Sequence, residues 1–158
     1  RMPAPDDPQT YRVEVPLRWS DMDAYAHVNN VQFLRLLEDA RVLGFRSWFG
    51  PGPSMLDQGV VVSRHEIEYH APLVYRPEPV QVRMWVTATS AVGFTVGYEI
   101  TDPAEVGSTT YALAETALVL YDFESARPRR MTPEERAQTA AHLGDPVPFR
   151  WGRSCLRG

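Results

Sequence analysis

The sequence predicts an α+β domain, a mostly antiparallel five-stranded sheet folded around one long helix. Three observations carry that reading. Period-two alternation over residues 11–19 is followed by a helical apolar stripe from about Asn30. Four more strand-like segments then succeed one another, joined mainly by short hairpin-type links. The last of them, Thr109 to Asp122, is apolar on both faces, so it should be central or covered on its second side.

The elements follow in order. Residues 1–10 are polar and proline-rich and read as a flexible tail before a single domain over 11–143. In the first strand Tyr11, Val13, Val15, Leu17 and Trp19 alternate with Arg12, Glu14, Pro16 and Arg18. Pro16 cannot donate to a ladder, which predicts an edge position or a bulge. The helix repeats apolar residues at Phe33, Leu36/Leu37, Ala40 and Leu43/Gly44, with Asn29 or Asn30 as its natural N-cap and Gly50-Pro-Gly-Pro53 as its stop. Its charged face carries Arg35, Glu38, Asp39 and Arg41, and Glu38 is expected to pair with Arg35 or Arg41.

Val60 to Tyr69 is the second strand. Without a bulge, Ser63 and His65 share a face with Val61, Ile67 and Tyr69. After a proline-rich loop, one strand points Val80, Val82, Met84 and Val86 inward, and the next points Phe94, Val96, Tyr98 and Ile100. Thr132-Pro-Glu-Glu135 is a capping box with proline at the first helical position. The Pro-, Gly- and Arg-rich stretch 144–158 reads as a loosely attached tail. Five strands around one helix leave the outer sheet face bare. The apolar outer side of the last strand then predicts a homodimer or a dimer of dimers.

Composition narrows the function classes. A net charge of −4 argues against general nucleic-acid binding and against a membrane-seeking surface. No apolar run approaches the ~20 residues of a bilayer span, no signal-peptide core is evident, and a cytoplasmic protein is expected. The one cysteine, Cys155, rules out an intrachain disulfide and a cysteine-based zinc site, and no metal site is expected. All basic residues are arginine, so lysine-base and Schiff-base chemistry are excluded.

The chemistry-bearing stretch is Trp19-Ser-Asp21-Met-Asp23-Ala-Tyr25-Ala-His27-Val28-Asn29-Asn30, where the first strand hands over to the helix. A helix start offers unpaired N–H groups and a partial positive charge, which can hold an oxyanion. Asp23 sits just before it as a catalytic carboxylate or, in the plainer reading, a capping one. His27 could orient Asp23, polarise a carbonyl or act as an acid; otherwise it is a loop histidine bonded to the backbone. Asp21 reads as an Asx-turn residue that holds the loop.

These residues carry a resemblance. Asp21-Met-Asp23 followed by His27-Val-Asn-Asn30, Phe33 and Glu38-Asp-Ala-Arg41 is similar to the hot-dog-fold acyl-CoA thioesterases, in particular the 4-hydroxybenzoyl-CoA thioesterase family. The likeness covers roughly residues 11–140. It implies a hot-dog dimer or dimer of dimers that binds an acyl-CoA thioester between subunits. It also implies no cofactor besides the CoA of the substrate, and neither nucleic acid nor membrane as partner. The family's second loop acid, here Asp23, is nucleophile or general base, and backbone amides at the helix start polarise the carbonyl. Plant acyl-carrier-protein thioesterases have a similar pattern, with asparagine where this chain has Tyr25.

The expected site is therefore Asp23 and His27 as catalytic residues, with Tyr25, Val28, Asn29, Asn30, Ser63 and Arg64 contacting substrate. Arginines 64, 76, 83, 127, 129 and 130 are candidates for the phosphates of CoA, and His70 and His142 are expected at the surface. The expected reaction is hydrolysis of acyl-CoA to the free acid and CoA. The alternatives are an acyl-carrier-protein thioesterase and a non-catalytic acyl-CoA-binding module.

Overall fold

The sheet runs in the order β1 (Tyr11–Val15), β3 (Val80–Thr89), β4 (Gly93–Thr101), β5 (Thr110–Asp122), β2 (Val60–Tyr69), each neighbouring pair antiparallel. A short β6 (Arg127–Pro128) pairs with the end of β5. The structure, a computed structural model, describes residue 7, residues 9–50 and residues 59–151. One long helix, α1 (Gln32–Phe49), packs against β1 and β3, and a short α2 (Pro133–Ala140) follows β6. This is the hot-dog arrangement, with β1 and β2 at the two edges. β1 ends at Val15, where Pro16 removes the next ladder donor.

Alternation decides which side of the sheet meets the helix. Val80, Val82, Met84, Phe94, Val96, Tyr98, Ile100, Ala114, Leu118 and Leu120 form one buried cluster with Phe33, Leu36, Leu37, Ala40 and Phe45 of α1. Burying a Leu- or Phe-sized side chain stabilises by roughly 1.5–3 kcal/mol. A one-residue slip would turn the whole set outward, so register is strongly specified. At Gly44 the helix comes so close that a Cβ would run into Met84 Cε. The stripe runs through Gly44 and Phe45, whereas Leu43 faces out.

The helix begins later than its asparagines predict. Val31 holds the N-cap position in helical conformation, without a side-chain cap. Asn29 spends its Oδ1 on Val31 N–H at 3.1 Å, and the carbonyls of Asn29, Asn30 and Val31 accept from Gln32, Phe33 and Leu34. Gly50, at φ 73°, ends the helix, while residues 51–53 of the expected stop lie outside the described residues. The capping box of α2 forms as read: Thr132 Oγ1 accepts from Glu135 N, and the Glu135 carboxylate accepts from Thr132 N.

Part of the outer face of the sheet is covered by the chain itself. Trp85 and Leu113 pack under Val147, and Trp85 Nε1 donates to the Asp145 carbonyl at 2.7 Å. Farther along, Arg150 N and Trp151 N both donate to the Glu68 carboxylate at 3.0 Å. Residues 144–151 are thus strapped across the sheet rather than loosely attached; residues 152–158, with Cys155, lie outside the described residues. The apolar outer side of β5 at Leu113 therefore needs no second subunit to cover it. Apolar exposure persists instead on edge strand β2, at Val62 and Tyr69.

His142, expected at the surface, is half-buried and stacked on Trp48 with ring centroids 4.4 Å apart. Burial lowers its pKa, against the opposing hydrogen bond to the Gln9 carbonyl. The folded state therefore takes up this proton less readily than the unfolded chain. Its stabilising contribution is present above the ordinary value of 6.5 and is lost as pH falls through the lower, folded pKa. We expect the thermal midpoint to drop between about pH 7.5 and 5. In His142→Phe, which keeps the stack and cannot titrate, the drop should be shallower but not absent, because burial and Arg41 also lower the pKa of His65. Differential scanning fluorimetry across that range checks both statements.

Candidate functional site

The loop between β1 and α1 is held by Asp21. A single 3-10 turn, Trp19–Asp21, buries this carboxylate to 2% exposure. It accepts from Arg18 N at 2.7 Å and from Arg35 Nε and Nη2 at 3.2 and 2.5 Å, and Arg35 also holds Asp39 at 2.6 Å. Arg35 is thereby taken, and Arg41 turns inward to Tyr98, so the pairing expected for Glu38 with either arginine does not form.

Asp23 closes the next, tighter turn. Its Oδ1 accepts from Tyr25 N at 2.8 Å and His27 N at 3.2 Å, while its own N–H donates to the His27 carbonyl at 2.7 Å. Ala26 pays for this with a φ of 60°, in the left-handed region. Both side-chain bonds fall on Oδ1. Among the described residues, Oδ2 has no donor.

The turn leans on the segment after β2. Val28 N donates to the Leu73 carbonyl at 2.7 Å, and His27 bridges to Val74. Between them lies a cleft of about 370 Å³. Asp23, His27, Val28 and Asn30 line one side, and Phe33 with residues 69–73 the other. The Tyr69 hydroxyl donates to the Asn30 carbonyl at 2.8 Å, and its ring stands edge-on to Phe33, 5.2 Å between centroids. These contacts fix the wall opposite Asp23.

At the helix start most backbone donors are spent. Val28, Asn29 and Val31 through Leu34 each have an acceptor, and among the described residues the Asn30 N–H has none. The general argument that helix N-termini offer free donors thus narrows here to one group, at a residue that lines the cleft.

The other expected site residues divide. Tyr25 gives its backbone N–H to Asp23, but its side chain is 81% exposed and does not line the cleft. Asn29 works on the backbone within the loop. Ser63 sits in a β-bulge between Val62 and Arg64, which breaks the assumed alternation, and its exposed hydroxyl donates to the Ala117 carbonyl. Arg64 lies on the outer sheet face with Glu66 and Glu115, at 3.2 and 3.0 Å. Neither Ser63 nor Arg64 reaches the cleft. Ser63→Ala and Arg64→Ala are expected to keep thioesterase activity within about a factor of two in steady-state assays.

Sequence reasoning missed residues 69–73 as the second wall. His70 was expected at the surface but lines the cleft, and its Nε2 bonds the Glu68 carboxylate at 2.5 Å. The only signal was the loop prolines, which say nothing of where the loop packs. Of the candidate phosphate-binding arginines, Arg76 holds Asp102 at 2.7 Å, Arg83 pairs with Glu99, and Arg129 holds Glu135 at 2.8 Å. Among the described residues no cluster of His, Cys, Asp and Glu has the form of a metal site, and no helix is long and apolar enough to cross a membrane.

Comparisons with known proteins bear on the family and the fold. The model of the thioesterase-like superfamily matches residues 17–140. No curated protein matches the chain. Among solved structures, a predicted thioesterase from Bacillus stearothermophilus superposes with a TM-score of 0.76 at 22% identity, covering 87% of this chain and 98% of that one. A Thermus thermophilus thioesterase in complex with coenzyme A and Zn gives 0.69 at 26% identity, over 83% and 92%. A candidate acyl-CoA thioesterase from Xanthomonas campestris gives 0.65 at 30% identity, over 77% and 98%. The chain belongs to the thioesterase-like superfamily, and its reaction class is thioester hydrolysis.

Proposed function

We propose that the protein is an acyl-CoA thioesterase close to the 4-hydroxybenzoyl-CoA thioesterase family, working in the cytoplasm without a cofactor of its own. The observation that carries this is the pairing, in one cleft, of a carboxylate oxygen without a donor, Asp23 Oδ2, and a backbone donor without an acceptor, the Asn30 N–H. The thioester carbonyl oxygen takes the Asn30 N–H, where the developing negative charge meets the partial positive end of α1. Asp23 then serves in one of two ways. As a base, Oδ2 takes a proton from water while the water oxygen bonds to the carbonyl carbon. As a nucleophile, Oδ2 bonds to that carbon, and water later hydrolyses the mixed anhydride. Either route breaks the C–S bond and yields the acid and CoA thiol. His27, in the same cleft, orients the carboxylate or supplies the proton to sulfur.

The CoA in the Thermus complex supports a CoA thioester as the substrate. We assign the protein a homodimeric or dimer-of-dimers state, because β2 is an edge strand whose Val62 and Tyr69 stay exposed. Thiol release from short-, long- and aryl-acyl-CoAs, with the matching acyl-carrier-protein thioesters in parallel, tests the assignment. Faster turnover of CoA esters supports it. A preference for carrier-bound chains would make this a carrier-protein thioesterase, and binding without thiol release would make it a non-catalytic module.

A further inference from the structure

A second cavity, of about 480 Å³, lies on the outer face of the sheet, between the strap and the strands beneath it. That is within the usual size of small-molecule sites, roughly 300–1,000 Å³. Its floor comes from β2, β3, β4 and β5, and its roof is residues 146–149. The roof is anchored at both ends. Trp85 Nε1 holds the Asp145 carbonyl, and the Glu68 carboxylate holds the Arg150 and Trp151 N–H groups. Between these anchors Val147 seats on Gly97, where a Cβ would run into the Val147 and Trp85 side chains. The space is therefore an arch built into the fold.

The floor is charged and the roof is not. Arg64 lies between two carboxylates, with Nη1 3.2 Å from Glu66 Oε2 and Nη2 3.0 Å from Glu115 Oε1. Thr87 Oγ1 donates to the other Glu115 oxygen at 3.2 Å and meets Thr95 Oγ1. One guanidinium thus serves two carboxylates, which leaves the lining with a net negative charge. Glu115 is the more deeply covered of the two acids. Pro146 and Pro148 in the roof have no N–H to donate, and the Phe149 N–H is spent on the Val147 carbonyl at 2.9 Å. A negative floor under an apolar, donor-poor roof rejects an anion. It suits a cation whose body is apolar, because the charges attract more strongly away from bulk water and the Phe149 ring also favours a positive head.

We propose that this arch is a binding site for a small organic ammonium ion, an amine carried on an alkyl or aryl body. The ammonium sits on Glu115 and Glu66, and the body lies under Val147 and Phe149. The site is separate from the thioesterase cleft, since no residue lines both. A roof tied down at both ends admits a small molecule more readily than a continuous chain.

The test is calorimetry of the full chain with phenethylamine, 2-phenylethanol and phenylacetate, similar bodies that differ in the charge of the head. The amine is expected to bind about tenfold more tightly than the alcohol, as a hydrogen bond to a charged group implies, and phenylacetate is expected not to bind. Glu115→Gln, which keeps an oxygen for Thr87, should weaken the amine by a similar factor. Glu66→Gln serves if that variant does not fold. Arg64→Met frees both carboxylates for the ligand and should tighten the amine severalfold, a gain that lost packing does not produce. Asp23→Asn should bind the amine as the wild type does. Equal binding of amine and alcohol, no binding of the amine at millimolar concentration, or weaker binding in Arg64→Met would overturn the proposal. So would loss of the amine in Asp23→Asn, which would put it in the cleft instead.

Discussion

Asp23→Asn is expected to keep the fold and to cut kcat for acyl-CoA hydrolysis by about a thousandfold, within the range typical of general acid–base residues. The geometry says why the two effects separate. The asparagine Oδ1 can still accept from Tyr25 N and His27 N, so the turn that Asp23 closes survives. What disappears is the charge on the second oxygen, the only one free to meet water or the thioester. Asp23→Ala removes both, and its additional loss of loop order should raise KM as well. Thiol-release kinetics alongside thermal midpoints check the separation: activity should collapse in the asparagine variant while the midpoint stays near wild type.

Asp21→Ala should do the reverse. Its carboxylate is buried, takes two bonds from Arg35 and one from Arg18 N, and its removal leaves the partly buried Arg35 guanidinium with Asp39 alone. Breaking such a pair from one side typically costs roughly 3–5 kcal/mol. Arg35 retains Asp39, so the lower end of that range is the better expectation here. Urea titration of both aspartate variants reads the contrast directly. Two carboxylates a single residue apart then sort into one that holds the loop and one that does the chemistry.

Much of the fold was legible in the sequence, and so was a structural part for Asp21. Alternation in β3 and β4 named the residues that face α1 because period two leaves only two choices, although the outer face is buried too, at Arg83, Trp85 and Glu99. Asp21 does hold the loop, but through Arg18 N and Arg35 rather than as an Asx turn; the Asx-type bond, from Tyr25 N to Oδ1, falls on Asp23. What failed did so for identifiable reasons. The bulge at Ser63 costs one residue of register, and nothing local in Val-Val-Val-Ser-Arg marks it. The asparagine caps failed because backbone carbonyls compete for the same first-turn donors. The strap over Trp85 and the loop wall at residues 69–73 are long-range contacts, and proline-rich composition hides where such segments land.

The central claim, that Asp23 Oδ2 and the Asn30 N–H converge on a thioester carbonyl, is tested most directly by a crystal structure with a non-hydrolysable acyl-CoA ketone, a methylene replacing the sulfur. The ketone oxygen is predicted to lie about 2.7–3.2 Å from Asn30 N, a normal hydrogen-bond length, with the carbonyl carbon facing Asp23 Oδ2. A ketone seated elsewhere, with residue 23 turned to bulk water and the Asn30 amide unengaged, would contradict it.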